Sequence, residues 1–97
     1  MMIPSISISE LLHMNFRGNL IDLRSTQNYN NNHIPGAIHI PFETLLARAK
    51  QLLDPNETYY IYCQKGTKSI RVCQILNQMG YHTVNITGGY ESWILEK

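Results

Sequence analysis

The sequence predicts an α/β domain on a largely parallel sheet, and three observations carry that expectation. Short runs of β-branched and aromatic residues alternate with stretches whose apolar residues recur at helical spacing. Glycine and proline punctuate the alternation where helices must start and stop. Apolar residues make up 43% of the 97 residues, enough for one packed core at the lower edge of the usual domain size. Residues 1–97 are therefore read as a single domain. No linker, repeat or low-complexity segment interrupts them beyond the solvated Asn-rich run Asn28 to Asn32.

The elements follow in order. Ser7-Ile8-Ser9-Glu10 fits a capping box, with Ser7 as N-cap and Glu10 reaching back to it. The helix it opens runs through Leu11, Leu12 and Met14 and is expected to stop at Gly18. Leu20-Ile21-Asp22-Leu23 is a short buried strand, and Ser25 to Asn32 a polar connection with one helical turn around Tyr29. Ile34-Pro35-Gly36-Ala37 has turn composition, and Ile38-His39-Ile40 is a brief strand. Pro41 suits the first turn of a helix. Its apolar face would be Phe42, Leu45, Leu46, Ala49, Leu52 and Leu53, closed by Asp54-Pro55-Asn56. Tyr59-Tyr60-Ile61-Tyr62 is the clearest strand. The polar loop Cys63 to Ser69 then leads into a helix with Val72, Ile75, Leu76 and Met79 at helical spacing and Gly80 as its stop. Thr83-Val84-Asn85-Ile86 is a further strand, Gly88-Gly89 a turn, and Tyr90 to Leu95 a short closing helix.

Composition excludes several classes of function. Eight Lys and Arg against seven Asp and Glu leave a formal charge of +1, which makes no case for nucleic acid. No apolar stretch approaches the length of a membrane span. Met1-Met2-Ile3-Pro4-Ser5 has neither the charged leader nor the apolar core of a signal peptide. With only two cysteines, Cys63 and Cys73, the expectation is a cytoplasmic protein with free thiols. His13, His33, His39 and His82 are scattered, no Ser/His/Asp triad is legible, and no spacing suggests a metal site.

The chemistry concentrates on Cys63. It follows a strand, and in open α/β sheets ligands bind beyond the carboxyl ends of strands. Its loop feeds a helix N-terminus, where unpaired N–H groups and the helix dipole favour an anion. Successive loop N–H groups curled around a thiolate form a nest, and Lys65 and Lys68 add positive charge. Such surroundings favour the thiolate, the nucleophilic form of cysteine. Cys73 lies inside the next helix among Val72, Ile75 and Leu76 and reads as core packing.

Cys63-Gln64-Lys65-Gly66-Thr67-Lys68-Ser69 resembles the active-site loop of rhodanese-like sulfurtransferases, Cys-x-x-Gly-x-Arg-Ser. Leu20-Ile21-Asp22-Leu23-Arg24 resembles that family's early strand with its Asp-x-Arg. His33-Ile34-Pro35-Gly36-Ala37-Ile38 with Ile40-Pro41 resembles its His-Ile-Pro-Gly-Ala turn, and Gly88-Gly89-Tyr90-Glu91-Ser92-Trp93 its closing Gly-Gly-x-x-x-Trp. These segments span residues 20–93 in the family's order. One residue departs: Lys68 stands at the loop's usual arginine, keeping the charge and losing the planar multi-donor fork.

The resemblance implies an open, mostly parallel five-stranded sheet flanked by helices, and a Cys63 that takes up sulfane sulfur as a persulfide. It implies that the backbone N–H groups of Gln64, Lys65, Gly66, Thr67, Lys68 and Ser69 hold the outer sulfur. Asp22 and Arg24 would buttress the site, and Trp93 would anchor the core. Related phosphatases carry a loop one residue longer that closes on arginine. Here the sixth residue after Cys63 is Ser69, and Arg71 is already in the helix, so a cradle for one sulfur atom is expected.

On this reading the Cys63 thiolate attacks the outer sulfur of a small anionic donor such as thiosulfate, releasing sulfite. A thiol, cyanide or a protein cysteine then takes the sulfur, a double displacement with no metal or organic cofactor. Lys65 and Lys68 would hold the anionic donor. Two other classes stand beside it. One is a non-catalytic binding module of the same fold, which the presence of the cysteine argues against. The other is a persulfide carrier serving a partner protein, with little thiosulfate turnover.

Overall fold

The computed structural model of the chain describes residues 3–97. Met1 and Met2, part of the stretch read for a leader, lie outside the described residues. Five strands, β1 (Ser5–Ser7), β2 (Asn19–Asp22), β3 (Ile38–His39), β4 (Thr58–Tyr62) and β5 (His82–Thr87), form one sheet. The strand order is β1-β5-β4-β2-β3, and every pairing is parallel. The helices are α1 (Ile8–His13), α2 (Thr26–Asn31), α3 (Phe42–Ala47), α4 (Ala49–Leu52), α5 (Thr67–Gln78) and α6 (Gly89–Glu96). Parallel neighbours cannot be joined by tight hairpins, and these helices supply the crossovers.

A sheet covered on both faces needs apolar residues on both, and the period-two alternation of the strands divides them. Along β2, β4 and the residues just past them, Ile21, Leu23, Ile61 and Cys63 turn toward Leu45, Val72 and Leu76 of α3 and α5. Leu20 and Tyr62 turn the other way, into a cluster with Ile8, Leu11 and Trp93 of α1 and α6.

The capping box forms as read: Ser7 Oγ accepts from the Glu10 N–H at 3.0 Å, and Glu10 Oε1 from the Ser7 N–H at 2.9 Å. Ser7 also ends β1, a strand not anticipated because Ser5-Ile6-Ser7 is short, half polar and merges with the cap. α1 stops before Gly18. Met14 is its C-cap, and Asn15 takes the left-handed conformation, φ 51°, that asparagine tolerates at a helix end. Gly18 lies instead against the Phe16 ring, where a Cβ would come within 2.9 Å.

The helix expected after Pro41 is two helices, because the backbone breaks at Arg48 (φ −125°, ψ 25°). Leu52, expected on the apolar face, is exposed, whereas Leu45, Ala49 and Leu53 are buried. Met79, also placed on an apolar face, is exposed at the end of α5, whereas Val72, Cys73 and Leu76 are fully buried. α5 begins at Thr67, so the polar loop expected through Ser69 is shorter and its last residues are already helical.

Ser7→Ala removes the α1 N-cap acceptor. It should lower the unfolding free energy by about 1 kcal/mol, read as a lower urea midpoint at unchanged m-value. Ser7→Thr should restore most of that loss.

Candidate active site

The site is built on a carboxylate at the end of β2. Asp22 is fully buried, and the β2–β4 register sets it opposite Tyr62. Arg24, two residues on, folds its guanidinium back onto it. Nε lies 3.2 and 3.1 Å from Oδ1 and Oδ2, Nη2 lies 2.9 Å from Oδ2, and the Arg24 backbone N–H reaches Oδ1 at 2.8 Å. The Tyr62 hydroxyl donates to Oδ2 at 2.6 Å and accepts from the Ile34 N–H at 3.1 Å. Burial, then its bond to the Asp22 carboxylate, push the Tyr62 phenol well above the ordinary tyrosine range, which keeps it a donor.

Arg24 still has donors to place. Nη2 donates to the Asn32 carbonyl at 2.6 Å and Nη1 to Gln64 Oε1 at 3.4 Å. The guanidinium carbon lies 3.9 Å from the centre of the Tyr90 ring, a cation–π contact. One buried cation thus touches β2, the end of α2, the Cys63 loop and α6.

Cys63 directly follows β4 and is buried. The backbone N–H groups of Gly66 and Ser69 point at its Sγ, at 3.2 and 3.3 Å. Its thiol donates to Ser69 Oγ at 3.4 Å, and that hydroxyl donates to Asn85 Oδ1 at 2.5 Å. Gly66 makes the turn with φ 102°, in the left-handed region that favours glycine.

The loop's peptide planes are set from behind by α6. The Cys63 carbonyl accepts from the Tyr90 N–H at 2.8 Å and the Gln64 carbonyl from the Glu91 N–H at 3.1 Å. In a trans peptide the N–H points opposite to the C=O. These two bonds therefore turn the N–H groups of Gln64 and Lys65 away from α6. Thr67 and Lys68, in the first turn of α5, have N–H groups with no acceptor inside the helix. A Cβ on Gly89 would overlap the Cys63 carbonyl oxygen, so α6 approaches this closely only with glycine there.

A cavity of about 320 Å³ opens at the loop, lined by Leu23, Arg24, Ser25, Asn28, Cys63, Gln64, Lys65, Thr67 and Lys68. All the loop residues singled out in the sequence therefore meet at one place. Gln64, Lys65, Thr67 and Lys68 line the cavity, while Gly66 and Ser69 direct their N–H groups at the sulfur itself. Lys68 does not tie the loop down. Its Nζ stands 5.5 Å from the centre of the Phe42 ring, and among the described residues it makes no side-chain hydrogen bond.

The sequence reading gave no role to Asn85, Ser25, Asn28 or the Tyr62 hydroxyl. An amide between Val84 and Ile86 was the available signal for Asn85; Ser25 and Asn28 offered none. Cys73 is fully buried, and burial pushes its thiol up to about 11, with Thr83 only partly offsetting the shift.

Comparison with known proteins agrees with this geometry. Residues 7–96 match the family model of the rhodanese-like domain. The chain is 36% identical over 78 residues to thiosulfate sulfurtransferase PspE of Escherichia coli, an alignment covering 79% of this chain and 75% of that protein. The human single-domain sulfurtransferase TSTD1 superposes with a TM-score of 0.80 at 25% identity, over 99% of both chains. SSP1007 of Staphylococcus saprophyticus superposes with a TM-score of 0.82 at 36% identity, over 90% of this chain and 89% of that one.

The buried Cys73 thiol makes stability depend on pH. The native state holds this proton more tightly than the unfolded chain, so the stability it contributes is complete below pH 9.0 and is lost as pH rises through about 11. Cys73→Ala should flatten the alkaline fall in unfolding free energy by roughly 2 kcal/mol, measured by urea titration across that window. Tyr62 adds a fall of the same sign in both proteins. An unchanged slope in the variant would show that Cys73 does not supply this part.

Proposed function

The chain belongs to the rhodanese-like sulfurtransferase family, and from that premise we propose that it moves sulfane sulfur through a persulfide on Cys63. The donor is thiosulfate or a persulfide, and the acceptor is a thiol or cyanide. One observation carries the reading: the buried Sγ at the end of β4 takes N–H groups from Gly66 and Ser69, and further loop N–H groups face away from α6.

In the first half-reaction the Cys63 thiolate attacks the outer sulfur of thiosulfate. The new Sγ–S bond forms as the S–S bond of thiosulfate breaks, and sulfite leaves with the electron pair. The N–H groups of Gln64, Lys65, Thr67 and Lys68 hold the outer sulfur of the persulfide. In the second half-reaction an acceptor thiolate attacks that outer sulfur, and Cys63 leaves as the thiolate. Gly66 and Ser69 donate to Sγ in both directions, as nucleophile and as leaving group. Hydrogen bonds to a charged partner are each worth about 1.5–3 kcal/mol, and here they come from backbone already held in place. Lys65 and Lys68 supply the charge that binds the donor's sulfonate end. The reducing cytoplasm is the compartment in which a Cys63 thiolate stays available for this cycle.

A phosphatase reading has no comparable support, since the N–H of Ser69 is directed at Sγ and Arg71 is exposed on α5.

Intact mass after incubation with thiosulfate should show one added sulfur atom on the natural chain and on Cys73→Ser, removed again by a small thiol. Cys63→Ser should gain none. A folded natural chain that takes up no sulfur from thiosulfate or from an organic persulfide overturns the proposal.

Lys65→Ala and Lys68→Ala should each lower kcat/KM for thiosulfate about two- to five-fold, less at high ionic strength. A neutral persulfide donor should be affected less. Equal losses with both donors, insensitive to salt, would assign the lysines to the shape of the loop.

A further inference from the structure

Charge beyond the cavity is arranged in a way that a small anion does not use. From Thr58 to Tyr90 the chain carries three Lys and Arg side chains, Lys65, Lys68 and Arg71, and no Asp or Glu. All three are exposed. Among the described residues the only ion pair is Asp22–Arg24, so none of the three has a carboxylate partner. Lys68 and Arg71 are three residues apart on α5 and share its outer face, which Gln74 and Gln78 continue, while Ser69, Val72, Cys73 and Leu76 turn inward.

Arg71 lies about 4.5 Å farther along the helix axis than Lys68, and it does not line the Cys63 cavity. A thiosulfate seated at Cys63 is served by Lys65 and Lys68. The cations are also placed against the interest of the helix. Two like charges three residues apart repel each other, and the positive end of the dipole disfavours both in the early turns of α5. An acidic partner relieves both terms. Glu43 follows the Phe42 residue whose ring Lys68 covers, and Glu91 gives its backbone N–H to the Gln64 carbonyl, yet neither carboxylate pairs with the strip.

We propose that the strip Lys65–Lys68–Arg71 docks a protein that exchanges sulfur with Cys63 and whose reacting cysteine is flanked by Asp or Glu. This rests on the sulfur-transfer reading, since whatever docks must bring a sulfur atom to Cys63. A nucleic acid or lipid surface brings no thiol, and three cations on a chain of net charge +1 make a poor phosphate-tracking surface. The strip leads from the cavity mouth outward, so an extended acidic segment lying along it delivers its cysteine to the loop.

Disulfide exchange tests the docking apart from persulfide chemistry, because it needs only the Cys63 thiolate. Short blocked peptides carry one cysteine, flanked on both sides by Glu, Gln or Lys and capped as a mixed disulfide with thionitrobenzoate. Cys63 attacks the peptide sulfur, the Cys63–peptide bond forms, and yellow thionitrobenzoate, the better leaving group, departs with the electron pair. The Glu peptide should react about five- to twenty-fold faster than the Lys peptide, with the Gln peptide between them, and the spread should shrink as salt is added.

Arg71→Glu should collapse that preference while leaving thiosulfate kinetics within about two-fold. Glutamate suits an early helical turn, and Arg71→Gln, expected to be intermediate, carries the comparison if the reversal disturbs folding. Equal rates for the Glu and Gln peptides, a preference that survives in both Arg71 variants, or no exchange with any peptide overturns the proposal. Retention on anionic vesicles or an oligonucleotide, lost in Arg71→Glu and without peptide preference, overturns it in favour of a phosphate surface. A peptide preference in a chain that forms no persulfide would refute the sulfur-transfer reading and leave the docking strip standing.

Discussion

A carboxylate with no solvent exposure, at the end of a central strand, has to be given a countercharge and donors or it costs the fold several kcal/mol. Asp22 imposes that requirement, and meeting it places much of what surrounds the Cys63 sulfur. Its oxygens are satisfied by the Arg24 side chain, the Arg24 backbone and the Tyr62 hydroxyl. Arg24 then turns remaining donors to the Asn32 carbonyl and the Gln64 amide oxygen, and the Tyr62 oxygen accepts from the Ile34 N–H. Such a pair is not a source of stability compared with well-packed apolar residues, although breaking it typically costs about 3–5 kcal/mol. Its effect here is positional. It holds the turn after α2, the strand that delivers Cys63 and the first loop residue in one arrangement.

What could be read in the sequence follows from which interactions leave a local mark. The capping box was legible because it is a four-residue chemical pattern, and α5 because Val72 and Leu76 repeat at helical spacing. The β1 strand was not, because its pairing with β5 joins residues some eighty positions apart and Ser5-Ile6-Ser7 has no apolar run. Gly18 misled because either glycine or asparagine can end a helix, and Asn15 came first. Nothing local distinguishes one long helix from two at Arg48; α3 and α4 are divided by a backbone turn that the apolar spacing runs straight through.

The site divides in the same way. A nest is made of backbone, so its sequence requirements reduce to a cysteine, a glycine able to adopt φ 102° and a fixed loop length. Those were visible. Lys68, standing where an arginine was expected, leans on Phe42, and the loop is braced by Arg24 and α6. Asn85 escaped notice because it reaches the sulfur only through Ser69, across the space between two elements.

The bonds from Tyr90 and Glu91 to the Cys63 and Gln64 carbonyls also bear on the order in which the protein comes together. Chains are synthesised from the N-terminus, and β4 with its cysteine exists before α6 does. Until residues 88–91 arrive, the two loop carbonyls have no partner behind them and the peptide planes are not held with their N–H groups outward. Gly88 N also lies 3.2 Å from where a Cβ on Gly66 would be, so the glycine turn of the loop closes against the glycine pair that starts the last helix. The loop around Cys63 therefore takes its form only once the last helix is packed behind it.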